Sequence, residues 1–385
     1  MKVLLFDVDG VLVQPVGYRR AMQAVFRHFS AGWGWQVPPP TEDDVAFYEA
    51  LGLTSEWDIT PLHLVAVWEA WACRYGTPPP DALARAEALP PPPTPIDYRT
   101  PAQRVAARLP AERYPTDWAL HLQRTAPGDE RPFPCLGAHG LVEALLSHSR
   151  DVRRNPVTRL FQEFALGSQA FATTYGLPPV MDEAPYLQRY DRPLLHASWA
   201  AALRRAVAAG EVAAAAYTAR PSGPPRGVPP APGYAPEAEM ALEVVGLPDL
   251  PLIGFGRLAY FAERNARSRG QALLKPAPFH ALSAIFAALL RDEQAALERA
   301  SRWLWHNQPV LDGLPPEMEV LGFEDSVAGL KGMFAAVSAL QEAGLAVAFR
   351  PFGVSQHPEK AQALAAQGAQ VVPTVNEGLA LVWER

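Results

Sequence analysis

The feature that most constrains the fold is a short apolar segment near the N-terminus that stops abruptly at acidic residues. Residues 3–6 are all hydrophobic, and Asp7-Val8-Asp9-Gly10 follows at once. Four residues are too few for a helix, so the segment is predicted to be a buried strand. In an open α/β sheet, ligands bind at the carboxyl ends of the strands. The two aspartates are therefore expected where such a sheet places its ligand.

Short apolar runs recur later in the chain and are separated by segments with helical patterns. The runs end near residues 217, 253, 323, 349 and 372, and the helices are predicted at 197–209, 236–245, 279–300, 328–343, 358–367 and 376–383. Strands that alternate with helices indicate a parallel sheet with helices on both faces. The predicted class is therefore α/β, with a Rossmann-like parallel sheet.

The segment 14–195 differs from the rest of the chain, because it offers helical patterns, proline clusters and no convincing strand. A large, mainly α-helical insertion after the first strand is the simplest architecture. The α/β core is then formed by residues 1–13 and 196–385. The tryptophans of the insertion are predicted to pack mainly in its own core, since large aromatic side chains usually serve packing.

Charge and composition exclude several classes of partner. The formal net charge is −6, whereas a nucleic-acid binder needs a basic face. Asp7 and Asp9 interrupt the N-terminal apolar run, so no signal peptide is predicted, and no apolar segment reaches the ~18 residues of a membrane span. Cys73 and Cys135 are the only cysteines, and two isolated cysteines fit reduced thiols. A cytoplasmic protein is expected, and its oligomeric state stays open.

The first two candidate residues are Asp7 and Asp9, which lie two positions apart at a predicted strand end. Two such carboxylates can serve one centre with different tasks, because one can attack phosphorus while the other manages a proton. Gly10 lets the backbone turn sharply after them. A turn is the ordinary alternative for this pattern.

Three further positions carry polar groups at a strand end or a helix start. The hydroxyl of Thr218 can bind a phosphate oxygen, and Lys275, before a predicted helix, brings a positive charge. Glu324 and Asp325 follow another strand, and their oxygens suit a hard cation such as Mg²⁺. Each position alone also fits a turn or a helix cap. Their joint occurrence at the element ends favours a common site.

These residues resemble the four motifs of the haloacid dehalogenase superfamily. The matching segments are residues 7–12 (Asp-Val-Asp-Gly-Val-Leu), Tyr217-Thr218, Lys275-Pro276 and residues 323–329 (Phe-Glu-Asp-Ser-Val-Ala-Gly). The last is similar to the phosphoglycolate phosphatase and β-phosphoglucomutase branch. The resemblance covers residues 1–13 and 196–385. The insertion falls where that branch places its helical cap, and it is much longer than the usual cap.

The resemblance implies a Mg²⁺-dependent phosphatase that acts on a small phosphorylated metabolite. Asp7 would attack phosphorus and form an aspartyl-phosphate, and Asp9 would protonate the leaving oxygen and then activate water. Thr218 and Lys275 would hold the transferring group. The implied magnesium ligands are Asp7, the backbone carbonyl of Asp9, Asp325, and Glu324 directly or through water.

Two alternative functions stay open at this point, a sugar phosphomutase and a catalytically silent binding or scaffold protein with the same fold. Dehalogenases of the superfamily lack the second aspartate, so Asp9 argues against that chemistry. The mutases typically use a cap lysine, and no lysine lies between Leu12 and Thr218. Hydrolysis is therefore favoured.

Substrate contacts are expected to come from the insertion. Tyr18, Arg19 and Arg20 follow the first motif closely and are candidates for binding a second anionic group. A solvated face of the first helix of the insertion is the alternative.

Overall fold

The computed structural model describes residues 1–110, 113–229, 233–265 and 269–383, which form two compact units. The α/β unit comprises Met1–Val16, Thr173–Gly176 and Leu187–Arg385. The helical unit comprises Gly17–Ala172 and Leu177–Tyr186.

The elements follow one another along the chain in two stretches. The first contains β1 (Lys2–Phe6), β2 (Val13–Gln14), α1 (Val16–Gly32), α2 (Glu42–Ala50), α3 (Glu56–Tyr75), α4 (Ala82–Arg85), α5 (Arg99–Ala106), α6 (Pro115–Thr125), α7 (Gly140–Leu146), α8 (Pro156–Leu166), α9 (Ser168–Tyr175) and α10 (Tyr186–Tyr190). The second contains β3 (Arg192–Pro193), α11 (Ala197–Ala208), β4 (Val212–Tyr217), α12 (Glu237–Val245), β5 (Leu252–Ile253), α13 (Phe255–Asn265), α14 (Pro278–Leu290), α15 (Glu293–His306), β6 (Glu317–Glu324), α16 (Val327–Glu342), β7 (Ala346–Val354), α17 (Pro358–Ala365), β8 (Gln370–Val372) and α18 (Val375–Trp383). Short 3-10 helices lie at Ala86–Ala88, Gly128–Glu130 and Gly270–Leu273.

Six strands of the α/β unit form one parallel sheet in the order β5-β4-β1-β6-β7-β8. The chain passes from β1 to β4 and β5 on one side and then returns to β6 on the other. The strand order therefore reverses next to β1, which makes the carboxyl end of β1 the topological switch point where such sheets bind ligands. The predicted Rossmann-like α/β class is confirmed.

Both faces of this sheet are covered, because successive side chains of a strand point to opposite faces. Val3 and Leu5 of β1 pack in a hydrophobic core with side chains of α13, α14, α15 and α16. Leu4 and Phe6 pack in a second core with α11, α12 and α18. Strands buried on both faces are apolar along their whole length, which is why residues 3–6 and β4 show no alternation.

One predicted helix, residues 279–300, is wrong as a single element. The structure has α14 and α15 there, because Arg291 adopts a left-handed conformation with φ of 56° and ends α14. The carboxylate of Asp292 then caps the next helix by accepting a hydrogen bond from the Ala295 backbone N–H at 2.9 Å. Aspartate is a preferred N-cap residue, so this break had a signal in the sequence.

The prediction of no strand between residues 14 and 195 is also wrong at both ends. Val13–Gln14 pairs antiparallel with Arg192–Pro193 as a separate two-stranded sheet. Two residues per strand are too few to produce an alternating pattern, and the pairing joins positions far apart in the chain. Periodicity therefore gave no signal for this ribbon.

The two cysteines form a disulfide, so the prediction of reduced thiols is corrected. Cys73 at the end of α3 is bonded to Cys135, and their Cα atoms are 5.1 Å apart. The sequence separation of 62 residues exceeds any local spacing, so the contact depends on the folding of the helical unit.

The helical unit is organised around the long helix α3 and a cluster of tryptophans. Trp33, Trp35, Trp68 and Trp71 are all buried, and the ring centroids of Trp35 and Trp68 lie 4.7 Å apart. The prediction that tryptophans of the insertion pack in its core is confirmed for these four. Within the described ranges, no helix has both the length and the apolar character required to cross a membrane.

Candidate active site

Asp7 is the first residue after the central strand β1, at the carboxyl edge of the sheet. Its backbone N–H donates to the Phe323 carbonyl at 2.9 Å, which continues the pairing of β1 with β6. Its side-chain Oδ1 accepts a hydrogen bond from the Val8 N–H at 2.7 Å. Only 6% of the residue is exposed. The carboxylate is thus fixed by its own strand and enclosed by neighbouring side chains.

Lys275 brings a positive charge to this carboxylate. Its Nζ lies 2.8 Å from Asp7 Oδ1 and 2.8 Å from Glu324 Oε2. Burial by itself would lower the pKa of Lys275, but the two carboxylates outweigh burial and raise the pKa above its ordinary value. The ammonium is therefore charged at neutral pH, in contact with the group predicted to attack phosphorus.

Glu324 is fully buried, and each of its two carboxylate oxygens accepts at least two hydrogen bonds. Oε2 accepts from Lys275 and, at 2.5 Å, from the Tyr217 hydroxyl. Oε1 accepts from the Ser326 hydroxyl at 2.7 Å and from the backbone N–H groups of Ser326 and Asp325. Burial favours the protonated acid, but Lys275 and these hydrogen bonds lower the pKa of Glu324. Glu324 is therefore an ionised support for Lys275.

Tyr217, the last residue of β4, completes this support, a role that the sequence did not indicate. Lys275 Nζ lies 4.1 Å from the centroid of the Tyr217 ring, within the range of a cation–π interaction. The His280 ring makes an edge contact with the Tyr217 ring, with centroids 5.1 Å apart, and its Nε2 is 2.8 Å from the Ile253 carbonyl oxygen. Burial lowers the pKa of His280 to about 3, so this histidine is neutral beneath the site.

Asp325 supplies a third carboxylate. One carboxylate oxygen from each of Asp7, Glu324 and Asp325 lies within 4.8 Å of the others. Burial, followed by the neighbouring Glu324, raises the pKa of Asp7 well above its ordinary value, against the opposing effect of Lys275. Lys360, half exposed, contacts Asp325 Oδ2 at 2.5 Å. The site thus concentrates negative charge that two lysines compensate.

Two glycines allow these carboxylates to approach the backbone. Gly10 has a φ of 74°, a conformation that side chains rarely adopt, and a Cβ there would collide with the Asp325 carboxylate. A Cβ on Gly329, in the first turn of α16, would collide with the Glu324 carboxylate. The turn predicted at Gly10 is therefore also a requirement of packing.

Asp9 lies apart from the three-carboxylate cluster and is held by an arginine that the sequence did not reveal. Arg220 Nε donates to Asp9 Oδ1 at 2.8 Å and to Oδ2 at 2.9 Å, and Nη2 donates to Oδ1 at 2.6 Å. Arg220 Nη1 donates to Asp191 Oδ2 at 3.0 Å. The only available signal was the position of Arg220, just after the end of β4.

Thr218 is buried at the carboxyl end of β4. Its backbone N–H donates to the Ile253 carbonyl at 3.0 Å, and its hydroxyl oxygen accepts from the Arg220 N–H at 3.2 Å. This hydroxyl therefore shapes the turn that leads to Arg220, and its O–H hydrogen remains as a donor. Both the turn interpretation and a phosphate-binding role are compatible with this geometry.

The three candidate substrate-binding residues lie on α1 and make contacts within the helical unit. The Tyr18 ring stacks against Phe161 with centroids 6.4 Å apart, and Arg19 forms an ion pair with Glu49 at 2.5 Å. Arg20 Nη1 donates to Gln23 at 3.4 Å. A role of Tyr18, Arg19 and Arg20 in substrate binding stays a prediction.

Comparison with known proteins supports the fold. No protein-family model and no curated protein sequence matches the chain. A crystal structure solved as Northeast Structural Genomics Consortium target ZR25 is similar, with a TM-score of 0.61 and 14% identity over 100% of this chain and 99% of that one. A second solved structure, Phosphatase Tt82 from Thermococcus thioreducens, gives a TM-score of 0.46 and 15% identity over 99% of each chain. At 14% identity, the likeness to the first of these structures concerns the fold alone.

Proposed function

We propose that this protein is a Mg²⁺-dependent phosphomonoester hydrolase that acts on a small phosphorylated metabolite through an aspartyl-phosphate on Asp7. The observation that carries the proposal is the Asp7 carboxylate at the switch point of the sheet, paired with Lys275 at 2.8 Å. Phosphoryl transfer needs positioning and charge neutralisation above all, and this arrangement supplies both.

Asp7 is assigned as the nucleophile. Its Oδ1 is held by the Val8 N–H and by Lys275, so Oδ2 is the atom that attacks phosphorus. Lys275 favours the ionised form of the buried carboxylate and so opposes the burial that raises the pKa of Asp7, and it would face the oxygens of the transferring phosphoryl group. Thr218, the residue after β4, donates a hydrogen bond from its hydroxyl to an oxygen of the same phosphoryl group.

Asp9 is assigned as the general acid and base. In the first step the Asp7–phosphorus bond forms, the bond from phosphorus to the ester oxygen breaks, and Asp9 gives its proton to that oxygen. In the second step Asp9 takes a proton from water, whose oxygen attacks phosphorus. Phosphate leaves, and the Asp7 carboxylate is restored.

The donor set suits Mg²⁺, because Asp7, Glu324 and Asp325 present oxygens, the ligands that this hard cation prefers. Bound there, the cation would neutralise charge on the transferring group. Since both oxygens of Glu324 already accept several hydrogen bonds, Asp7 and Asp325 are the direct ligands in this proposal, and Glu324 acts through water. The proposed contribution of the Asp9 backbone carbonyl comes from the motif resemblance.

A phosphate-release assay tests the function. Purified protein with Mg²⁺ should release phosphate from an aryl phosphate, EDTA should stop the reaction, and Asp7→Asn should reduce kcat by at least about 10³-fold, because the nucleophile is lost. Asp249→Asn, an exposed site in the same unit, is the matched control and should keep full activity. Equal activity in Asp7→Asn and wild type would refute the proposal.

The same assay separates the two alternatives. A phosphomutase would produce isomerised sugar phosphate faster than free phosphate. A silent scaffold protein would release no phosphate from a broad panel of metabolites and would retain a stable partner in a pull-down. Phosphate release that depends on Asp7 excludes the silent scaffold, and phosphate release without isomerised sugar phosphate excludes the phosphomutase.

A further inference from the structure

We infer that Arg220, held by Asp191, is the positioning residue that orients Asp9 for protonation of the leaving group. The inference rests on the proposed hydrolase function and concerns the same site. Asp9 and Arg220 are 211 residues apart in sequence, so their contact is a product of the fold.

The contact between Arg220 and Asp9 fixes the carboxylate in both direction and plane. Two guanidinium nitrogens, Nε and Nη2, donate to the two oxygens at 2.6–2.9 Å. Such a fork-to-fork arrangement restricts a carboxylate far more than a single point charge does. The Asp9 side chain is 36% exposed, so without the guanidinium it would be free to adopt other rotamers.

Arg220 is itself fixed at both ends. Its side chain is 2% exposed, and Nη1 donates to Asp191, whose side chain is fully buried. Its backbone N–H donates to the Thr218 hydroxyl oxygen, and its carbonyl accepts from the Phe255 N–H at 3.0 Å. The guanidinium is therefore a rigid part of the sheet edge.

The two carboxylates that share Arg220 belong to the same local structure. Asp9 forms a bridge with Val13, at the start of β2, and Asp191 directly precedes β3, which pairs with β2. Arg220 thus ties the turn after β1 to the paired ribbon. A buried ion pair contributes little net stability, because desolvation offsets the attraction. Its position next to the proposed general acid points to a geometric role.

A positioning role predicts a specific kinetic signature. A nitrophenolate leaving group departs from phosphorus without a proton. An alkoxide or a simple phenolate needs a proton on its oxygen to depart. Loss of Asp9 alignment should therefore selectively slow phosphoryl transfer from the alkyl and phenyl esters to Asp7. General acid catalysis contributes about 10²–10⁴-fold, and this range bounds the expected effect.

The test compares wild type with Arg220→Lys on 4-nitrophenyl phosphate, phenyl phosphate and an alkyl phosphate, each with Mg²⁺. Arg220→Lys keeps the positive charge and removes the two-nitrogen contact of the guanidinium with the Asp9 carboxylate. We expect kcat/KM, which reports the steps up to departure of the leaving group and not the later attack of water, to fall less than about 5-fold on the nitrophenyl ester and at least about 10²-fold on the alkyl ester. Asp191→Asn keeps Arg220 and the shape of the side chain at position 191, and it should show the same leaving-group selectivity to a smaller degree. This variant replaces Arg220→Lys in the test if Arg220→Lys does not fold.

Arg257→Lys is the matched control, since Arg257 is an equally buried arginine between Glu239 and Glu293. It should lose stability without any change in leaving-group selectivity. A uniform loss of kcat/KM over all three esters in Arg220→Lys and Asp191→Asn overturns the inference and leaves the hydrolase function intact. Absence of hydrolysis by the wild type overturns both.

Discussion

Lys275→Met should destabilise the α/β unit strongly, because it leaves two buried carboxylates without their shared counter-charge. Lys275 Nζ lies 2.8 Å from an oxygen of Asp7 and from an oxygen of Glu324. At that distance and an effective dielectric constant of about 20, each attraction is about 6 kcal/mol before desolvation is subtracted. Removal of one partner from a buried ion pair typically costs about 3–5 kcal/mol, and we expect a loss of that size near neutral pH.

The loss should grow with pH. Burial and the Glu324 carboxylate raise the pKa of Asp7, while Lys275 lowers it. A carboxyl group whose pKa is higher in the folded state binds a proton on folding, so its contribution to stability is lost as the pH rises through that pKa. Without Lys275 the pKa of Asp7 rises further. As the pH rises, the free energy of unfolding of the variant should therefore fall relative to that of the wild type. The fall is up to about 1.4 kcal/mol per pH unit for each proton that the folded variant binds in excess of the folded wild type.

Urea unfolding between about pH 5.5 and pH 7.5 in EDTA measures this effect, because denaturant midpoints convert to free energies of unfolding. Hydrogen exchange of peptides from β1 and β4 reports the α/β unit separately from the helical unit. Lys331→Met, an exposed position on α16, is the control and should change little. A loss below about 1 kcal/mol, or one that is constant over this pH range, would refute the proposed charge compensation.

Three further substitutions test other parts of the structure. Tyr217→Phe removes the hydroxyl that donates to Glu324 at 2.5 Å. Urea unfolding should show a loss of about 1.5–3 kcal/mol in the free energy of unfolding. A loss under about 0.5 kcal/mol would contradict the strength of this hydrogen bond. Cys73→Ser opens a disulfide that spans 62 residues; the helical unit should lose about 4 kcal/mol of unfolding free energy, and dithiothreitol should have no further effect on the variant. Gly10→Ala forces a methyl group against Asp325; kcat should fall about 10²-fold through misplacement, with circular dichroism unchanged, and normal activity would argue against close packing at this turn.

The α/β unit is largely predictable from sequence, because its signals are local. Residues 3–6 are too short for a helix and too apolar for a surface strand, and the acidic turn after them marks the carboxyl end. The same logic predicted Glu324 and Asp325 after a strand; in the structure Glu324 is the last residue of β6 and Asp325 follows it. Parallel strands bring such ends to one edge, so the approximate position of the site follows from strand order.

The remaining features depend on contacts between distant parts of the chain. Arg220 and Asp191 each look like ordinary charged residues in a turn, and only the fold brings Arg220 to Asp9 and Asp191 to Arg220. The disulfide of Cys73 depends in the same way on how the helical unit packs. Tyr217 is a third case. An aromatic residue at a strand end is ordinarily interpreted as a core residue, whereas here its hydroxyl donates to Glu324 and its ring contacts Lys275.

The most direct test of the central claim is chemical identification of the phosphorylated residue. Asp9→Asn retains the nucleophile and lacks the group that activates water, so a phosphoenzyme should accumulate when this variant is incubated with 4-nitrophenyl phosphate and Mg²⁺. Borohydride reduces an acyl phosphate to an alcohol, and tandem mass spectrometry then locates it. The peptide carrying Asp7 is expected to be recovered with homoserine at that position. Phosphate release by the wild type with a modification elsewhere, or with none on Asp7, would contradict it.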